Sequence, residues 1–134
     1  MEKIAIIGSR TYTNTRKIKD FVFNLKEKLG DNLEIVSGGA KQGADKYAKK
    51  FSLEFGIKYS EFPAYHEPHN QHCVLGAFRY SKQYNVGNYH RRNKDIVDYS
   101  DSVVAFVVDN QVTNGTLSAL RYAEKINKKS IIIS

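Results

Sequence analysis

The fold of this chain is decided by one stretch, Leu33-Glu34-Ile35-Val36-Ser37-Gly38-Gly39-Ala40-Lys41-Gln42-Gly43-Ala44-Asp45. Its first four residues form a short, mainly apolar run, which is typical of a strand buried in a parallel sheet. Glycines then end the strand, and an amphipathic helix is predicted to follow. The apolar face of that helix has spacings of three and four: Ala44, Tyr47, Ala48, Phe51 and Phe55.

The same order of strand, glycine turn and helix occurs before this stretch, and a further strand follows it. Ile4 to Ile7 predicts a first strand that ends at Gly8, and the helix after it is terminated by Gly30. Ile57 to Phe62 predicts a third strand, which Pro63 closes because proline cannot continue a ladder of hydrogen bonds. The helix before Gly30 has its own apolar face: Ile18, Phe21, Val22, Leu25 and Leu29.

The C-terminal part of the chain repeats the pattern. A helix through Arg92 to Val97 leads to a strand from Ser102 to Val108. A last helix, which opens at Asn114-Gly115-Thr116, leads to a strand at Ile131 to Ile133. Because that terminal strand is fully apolar, we expect it in the middle of a covered sheet. The last helix is expected to turn four residues inward: Leu117, Leu120, Ala123 and Ile126.

Alternating elements of this size predict the α/β class. We expect a mostly parallel sheet of about five strands, with helices on both faces and right-handed crossovers. The length of 134 residues and the 41% hydrophobic content fit one domain, spanning residues 1–134. In such a fold the ligand crevice lies beyond the carboxyl ends of the strands.

The composition narrows the environment and the partners of the chain. A net charge of +7 favours anionic partners, without distinguishing nucleic acid from a small phosphorylated ligand. The single cysteine, Cys73, excludes an intrachain disulfide, and the N-terminus has no signal-peptide layout. We therefore expect a cytoplasmic protein. No apolar stretch approaches the roughly 20 residues that span a bilayer, so no membrane partner is expected.

Residues 64–88 interrupt the alternation and predict an insertion, or lid, over a binding face. Its histidines and Cys73 could ligate zinc, but the paired C-x-x-C units of structural zinc sites are missing. A polar, aromatic lid that contacts a base or a partner subunit is the alternative that we prefer, and we expect neither a metal nor a cofactor. The candidate ligands are His66, His69, His72 and Cys73, and the lid aromatics are Tyr65, Phe78, Tyr80 and Tyr84.

Three glycine turns follow predicted strands, at Gly8-Ser9-Arg10, Ser37-Gly38-Gly39 and Asn114-Gly115-Thr116. Each places free backbone N–H groups near the N-terminus of a helix, where the helix dipole favours an anion. Together they predict a phosphate site. Neither the G-x-G-x-x-G fingerprint nor a P-loop is present, which disfavours a standard dehydrogenase or P-loop ATPase.

With the stretch that runs on from Ser37 to Asp45, these turns resemble the SLOG superfamily of Rossmann-like nucleotide-binding domains, and within it the YspA/YpsA-related branch. The resemblance covers nearly the whole chain, except for the insertion. It implies a Rossmann-like three-layer sandwich, a nucleotide or nucleotide-derived ligand, and a homo-oligomer. The second turn is also similar to the DNA-processing protein A branch of the same superfamily.

A more distant similarity bears on catalysis. Tyr89 to Lys94, with Ser100 to Phe106, is similar to the helix and strand of the LOG phosphoribohydrolases, and in that register Arg92 matches their catalytic arginine. The position of their catalytic glutamate is Ala119. Alanine can neither accept a proton nor stabilise an oxocarbenium charge, so hydrolysis of nucleoside 5'-monophosphates is the alternative here and not the first choice.

Each candidate side chain has a functional and a structural interpretation. Arg10 and Arg92 are expected to neutralise phosphate, and the structural alternative is that they are solvated surface cations. Asp45 either bonds a ribose hydroxyl or serves the first turn of its helix, and Asn114 and Thr116 either bind phosphate or cap theirs. The predicted binding residues are Gly8, Ser9, Arg10, Ser37, Gly38, Gly39, Gly43, Asp45, Arg92, Asn93, Asn114, Gly115 and Thr116.

These observations favour a protein that recognises or sequesters a nucleotide-derived ligand. Its phosphate is expected on the Gly38-Gly39 and Gly115-Thr116 turns, and its base under the insertion. Binding of DNA or RNA is a minor alternative, because the basic residues are spread along predicted helices such as Arg16 to Lys28.

Overall fold

The computed structural model describes residues 1–134 and confirms the α/β, Rossmann-like class. Five strands form one parallel sheet in the order β3-β2-β1-β4-β5. Two short 3-10 turns, at Gly30–Asn32 and Ala77–Arg79, supplement the main elements. In chain order these elements are β1 (Glu2–Gly8), α1 (Thr15–Leu29), β2 (Leu33–Ser37), α2 (Gly43–Glu54), β3 (Lys58–Glu61), α3 (Gly87–Tyr99), β4 (Ser102–Phe106), α4 (Asn114–Lys125) and β5 (Lys129–Ile133).

The helices cover the sheet in two pairs, which gives three layers. Helices α1 and α2 bury Ile18, Val22 and Phe51 on one face, and α3 and α4 bury Ile96 and Leu120 on the other. Successive side chains of a strand point to opposite faces, so each central strand contributes to both cores. The predicted apolar faces of the helices are therefore the ones that pack, except for Leu117, which was expected to point inward but belongs to neither core.

Strand β1 is the switch point of the sheet. The chain moves from β1 to β2 and β3 on one side and to β4 and β5 on the other. Loops that leave neighbouring strands in opposite directions open a crevice at their carboxyl ends. The turn after β1 and the loop before α4 consequently face each other across this crevice.

The terminal strand is not where the sequence pattern places it. β5 lies at the edge of the sheet and pairs only with β4. Ile131 and Ile132 are 41% and 51% exposed. Apolar composition indicates that a segment is a strand, but it does not distinguish an edge from the centre. The expectation of a central position is wrong.

The insertion connects β3 to α3, and its first part adheres to the edge of the sheet. The Glu61 N–H donates to His72 O at 2.9 Å, and the Val74 N–H donates to Glu61 O at 3.3 Å. These bonds make an isolated parallel bridge between Glu61 and Cys73. Apart from the Ala77–Arg79 turn, residues 64–86 form no helix or strand. None of the helices is both long enough and apolar enough to cross a membrane.

Candidate ligand-binding site

Two adjoining cavities of about 490 and 620 Å³ open at the carboxyl ends of the strands. Arg10, Tyr89 and Arg92 line both, so they form the partition between a cavity beside the insertion and a cavity beside α4. Of the thirteen predicted binding residues, only Ser37 and Gly43 line neither cavity. The others are Gly8, Ser9, Arg10, Gly38, Gly39, Asp45, Arg92, Asn93, Asn114, Gly115 and Thr116.

The Gly38-Gly39 turn is packed tightly against the side chains of Arg92 and Glu61. A Cβ atom at Gly38 would overlap the guanidinium of Arg92, and one at Gly39 would overlap the carboxyl group of Glu61. Gly39 also has φ of +73°, a conformation that glycine adopts without strain. Gly39 is thus required by its conformation and by close approach, independently of any ligand, whereas a side chain at Gly38 would have to displace the end of the Arg92 side chain.

Two amides of this turn, those of Gly39 and Ala40, have acceptors within the protein. The Gly39 N–H donates to Ser37 Oγ at 3.2 Å, and the Ala40 N–H donates to the Asp45 carboxylate at 3.1 Å. Asp45 therefore holds the turn that precedes its own helix. Burial raises the pKa of Asp45, while the positive charge of Arg92 and the Ala40 bond oppose that rise.

The first turn is locked onto the start of α2. The Ala44 N–H donates to Ser9 O at 3.2 Å, and a Cβ at Gly43, where φ is +71°, would overlap that same carbonyl. Ser9 is buried, and its Oγ lies 2.7 Å from Thr11 Oγ1. Gly43 and Ser9 consequently shape the wall of the crevice.

The N-terminus of α4 is open by contrast. No side chain caps it, and the N–H groups of Asn114, Gly115 and Thr116 make no hydrogen bond within the protein. Apart from Gly115 itself, its chain neighbours and the backbone of its own helix, no atom lies within 4 Å of the position that a Gly115 Cβ would take. Neither Asn114 nor Thr116 caps the helix. Helix α1, away from the crevice, is capped by the side chain of Asn14, which accepts from the Lys17 N–H at 3.2 Å.

Arg92 ties the two turns together. It is buried, and its Nη1 donates to Gly38 O at 2.8 Å and to Phe62 O at 3.3 Å. Its Nε donates to Asn93 Oδ1 at 3.0 Å, and Asn93 in turn donates to Gly115 O at 3.3 Å. Burial lowers the pKa of Arg92, but a guanidinium keeps its proton at neutral pH. The cleft thus contains a fixed positive charge, whose Nη2 makes no hydrogen bond within the protein.

Tyr89 is a site residue that we did not predict. The guanidinium carbons of Arg10 and Arg92 lie 5.4 and 5.8 Å from the centre of its ring. Its hydroxyl lies 3.3 Å from His66 Nε2. The sequence carried one signal for Tyr89, its place one turn before Arg92 on the same helix.

Glu61 is the second residue that sequence reasoning missed. Its side chain is 2% exposed and lines the cavity beside the insertion. The Tyr59 hydroxyl donates to its Oε1 at 2.8 Å, Lys49 Nζ lies 3.1 Å from the same atom, and Asn70 donates to Oε2. Although burial opposes ionisation, the bonds from Asn70, Tyr59 and Lys49 hold the pKa of Glu61 below its usual value. An ionised, buried carboxylate therefore lines a cavity in which cationic side chains outnumber the two glutamates, Glu61 and Glu67.

The candidate zinc ligands do not converge. No group of three His, Cys, Asp or Glu side chains could hold a metal ion. His66 contacts Tyr84 and Tyr89, whereas His69 packs on Tyr80. His72 packs on Tyr59, and Cys73 Sγ accepts from the Asn70 N–H at 3.4 Å.

The lid aromatics divide into two kinds. Tyr80 is buried within the insertion, so its expected contact with a base or a partner subunit is wrong. Tyr65 is half-buried and its hydroxyl donates to Asp95, and its expected contact stays a prediction. Phe78 and Tyr84 are exposed. This exposed pair keeps an aromatic face available to a ligand or a partner.

The parallel sheet, the crevice at its switch point and the open helix N-terminus define a Rossmann-like α/β domain. The chain belongs to the family of DNA recombination-mediator protein A, whose sequence profile matches residues 1–134. This family is of the SLOG type, so the superfamily expectation is confirmed. The narrower assignment to the YspA/YpsA-related branch stays a prediction.

Solved structures with the same fold include proteins that carry a cofactor. The molybdenum cofactor binding protein of Rippkaea orientalis superposes with a TM-score of 0.73 at 18% identity, over 98% of this chain and 75% of that one. The molybdenum cofactor carrier protein of Chlamydomonas reinhardtii gives 0.64 at 17% identity, over the same shares. No curated protein matches the sequence significantly.

Proposed function

We propose that this protein binds a small phosphorylated ligand, derived from a nucleotide, and acts as a sensor or sequestering protein. The observation that carries the proposal is the N-terminus of α4, where three adjacent N–H groups lack partners. Unpaired amides and the helix dipole favour an anion there. Arg10 and Arg92 line the same cavity and supply positive charge.

Of the two turns predicted to bind the phosphate, the hydrogen bonds favour the Gly115-Thr116 turn at the start of α4. The Gly39 and Ala40 amides already have acceptors, whereas those of Asn114, Gly115 and Thr116 have none. This difference supports a phosphate position at α4 in the proposal. The rest of the ligand extends past Tyr89 into the cavity beside the insertion, which lies on the other side of the Arg10 and Arg92 side chains.

Recognition is favoured over turnover. Ala119 is buried and its side of α4 lines the cavity, so the position that resembles the LOG glutamate presents only a methyl group. The structural neighbours named as cofactor binding and carrier proteins are also consistent with holding a small molecule. The ligand is proposed to leave the protein unchanged.

One experiment separates binding from hydrolysis. The protein is titrated calorimetrically with the four common nucleoside 5'-monophosphates, NAD and inorganic phosphate, and each mixture is then chromatographed. Binding with recovery of intact ligand is expected. Free base in the chromatogram would replace the proposal with the phosphoribohydrolase alternative, and absence of any binding would reject it.

DNA binding is a second candidate, because the whole-chain match is to a family described as DNA recombination mediators. The outer face of α1 is basic and exposed, with Arg16, Lys17 and Lys19 in its first two turns. Oligonucleotide affinity that falls steeply with salt would support this candidate. If affinity is undetectable at low salt, the candidate is dismissed.

Two further expectations belong to the proposal. A homo-oligomer is proposed from the family resemblance. Light scattering during size-exclusion chromatography measures the molar mass in solution, and the mass of a monomer would contradict this proposal. A reducing, cytoplasmic location is proposed because Cys73 is a free thiol. Localisation of a tagged chain tests that location.

A further inference from the structure

We propose that Glu61 determines specificity: its carboxylate accepts a hydrogen bond from the ring of the ligand, which selects a heterocycle with adjacent N–H donors, such as the amide and amino groups of guanine. This inference rests on the proposed function, since it names the class of ligand for the same cleft. It starts from the one carboxylate that reaches the cavity beside the insertion from the end of a strand.

The position of Glu61 is set by the fold. It is the last residue of β3, and its side chain lies under Gly39, where a Cβ would overlap it. Arg92 lies under Gly38 in the same way. The guanidinium of Arg92 and the carboxylate of Glu61 therefore lie against two adjacent glycines. Because both side chains line the cavity, a ligand there meets opposite charges at neighbouring points.

The hydrogen bonds of Glu61 leave acceptor capacity. A carboxylate offers about four lone-pair positions. Tyr59 and Lys49 share Oε1, and Asn70 alone bonds Oε2. One position on Oε2 is unused, and the Lys49 side chain on Oε1 is 35% exposed and itself lines the cavity. The group can accept a donor from a ligand without first losing a buried partner.

The charge of Glu61 determines which ligand edge fits. Tyr59 and Asn70 donate to the carboxylate from buried or half-buried positions, which stabilises its ionised form. An ionised carboxylate accepts hydrogen bonds only, so it repels a phosphate or a ring nitrogen that carries a lone pair. The Watson–Crick edge of guanine presents two adjacent donors, whereas that of adenine places an acceptor beside one donor.

The experiment measures discrimination and not affinity alone. The full chain is titrated with guanosine, inosine and adenosine 5'-monophosphates and with inorganic phosphate. The wild type is expected to bind the guanosine nucleotide at least tenfold more tightly than the adenosine nucleotide, with the inosine nucleotide between them. Glu61→Gln is expected to lose most of this preference and to keep its affinity for phosphate.

Two controls separate recognition from a structural role. Tyr59→Phe removes one donor but keeps the carboxylate, so it is expected to preserve the preference. If Glu61 only anchors the insertion, Glu61→Gln weakens all three nucleotides by the same factor, which would overturn the inference. Equal affinity of the wild type for the three nucleotides would overturn it without any variant. Failure of the proposed function looks different, because then neither phosphate nor any nucleotide binds.

Discussion

Two glycine-containing turns face each other across one cleft, and they differ in how tightly their glycines are packed and in which of their amides are hydrogen-bonded. The α2 turn, residues 38–43, has glycines that are pressed against Arg92, Glu61 and the Ser9 carbonyl, and two of its amides are hydrogen-bonded. The α4 turn, residues 113–116, has open space at Gly115 and three unpaired amides. The same sequence signal therefore marks close packing in one place and open space beside unpaired amides in the other.

The largest expected effect is at Gly43. Its φ of +71° and the overlap of a Cβ with the backbone of Ser9 and Arg10 mean that Gly43→Ala must displace the first turn. A left-handed conformation costs about 1–2 kcal/mol for alanine, and moving packed backbone adds to it. We expect a loss of about 3 kcal/mol or more in the free energy of unfolding, measured by urea denaturation. A loss below about 1 kcal/mol would show that the α2 turn is not tightly packed.

Arg92, which joins the two turns, comes next. Arg92→Met leaves Gly38 O, Phe62 O and Asn93 Oδ1 without a donor and Asp45 without the neighbouring positive charge. Buried acceptors left unpaired cost about 1–3 kcal/mol each, partly recovered by water. We expect a loss of about 2–4 kcal/mol and no measurable phosphate binding. Arg91→Met, at an exposed neighbouring position, is the matched control and should change neither quantity.

Acid is expected to weaken the α2 turn through Glu61. Because the pKa of Glu61 is lowered in the folded protein, its stabilising contribution is present above the usual carboxyl pKa and is lost as the pH falls through the folded value. Asp45, whose pKa is raised in the folded protein, changes the pH dependence of stability in the opposite direction. Stability measured from pH 7 to pH 3 should therefore fall less in Glu61→Gln than in the wild type. Parallel curves would contradict this role of Glu61.

The smallest effect is expected in the α4 turn. Gly115 has no neighbour within 4 Å of its Cβ position, so Gly115→Ala meets no clash. Alanine in a helix is better than glycine by about 0.5–1 kcal/mol. Gly115→Ala should raise the melting temperature slightly, the reverse of Gly43→Ala. If both substitutions destabilise the protein by similar amounts, the contrast between the turns is wrong.

Much of the fold could be predicted from the sequence because its helices and strands are short, regular and separated by glycine. The apolar spacing in α1 and α2 identified the faces that pack, since helix periodicity directly reflects burial. The edge position of β5 could not be predicted, because pairing partners are set by the whole sheet. The apolar composition of this strand predicts that Ile131 and Ile132 are buried, although both are exposed.

The candidate site was predicted in outline and not in detail. Arg10 and Arg92 both line the cleft. Their places could be predicted from local patterns, because Arg10 comes just after the end of a strand and Arg92 lies on the inner face of a helix. Glu61 could not be found in this way, since a single glutamate near a strand end belongs to no motif. Nor does a sequence show which amides are already paired, as those of Gly39 and Ala40 are.

The central claim is that the α4 turn holds the phosphate, and a charge at Gly115 tests it most directly. An aspartate in the first turn stabilises a helix by about 0.3–1 kcal/mol through the dipole, yet it repels an anion from the same amides. Gly115→Asp and its uncharged match Gly115→Asn are compared by thermal unfolding and by titration with inorganic phosphate and guanosine 5'-monophosphate. The account predicts that Gly115→Asp melts no lower than Gly115→Asn and loses both ligands, whereas Gly115→Asn retains them. Unchanged affinity in a folded Gly115→Asp protein would contradict it.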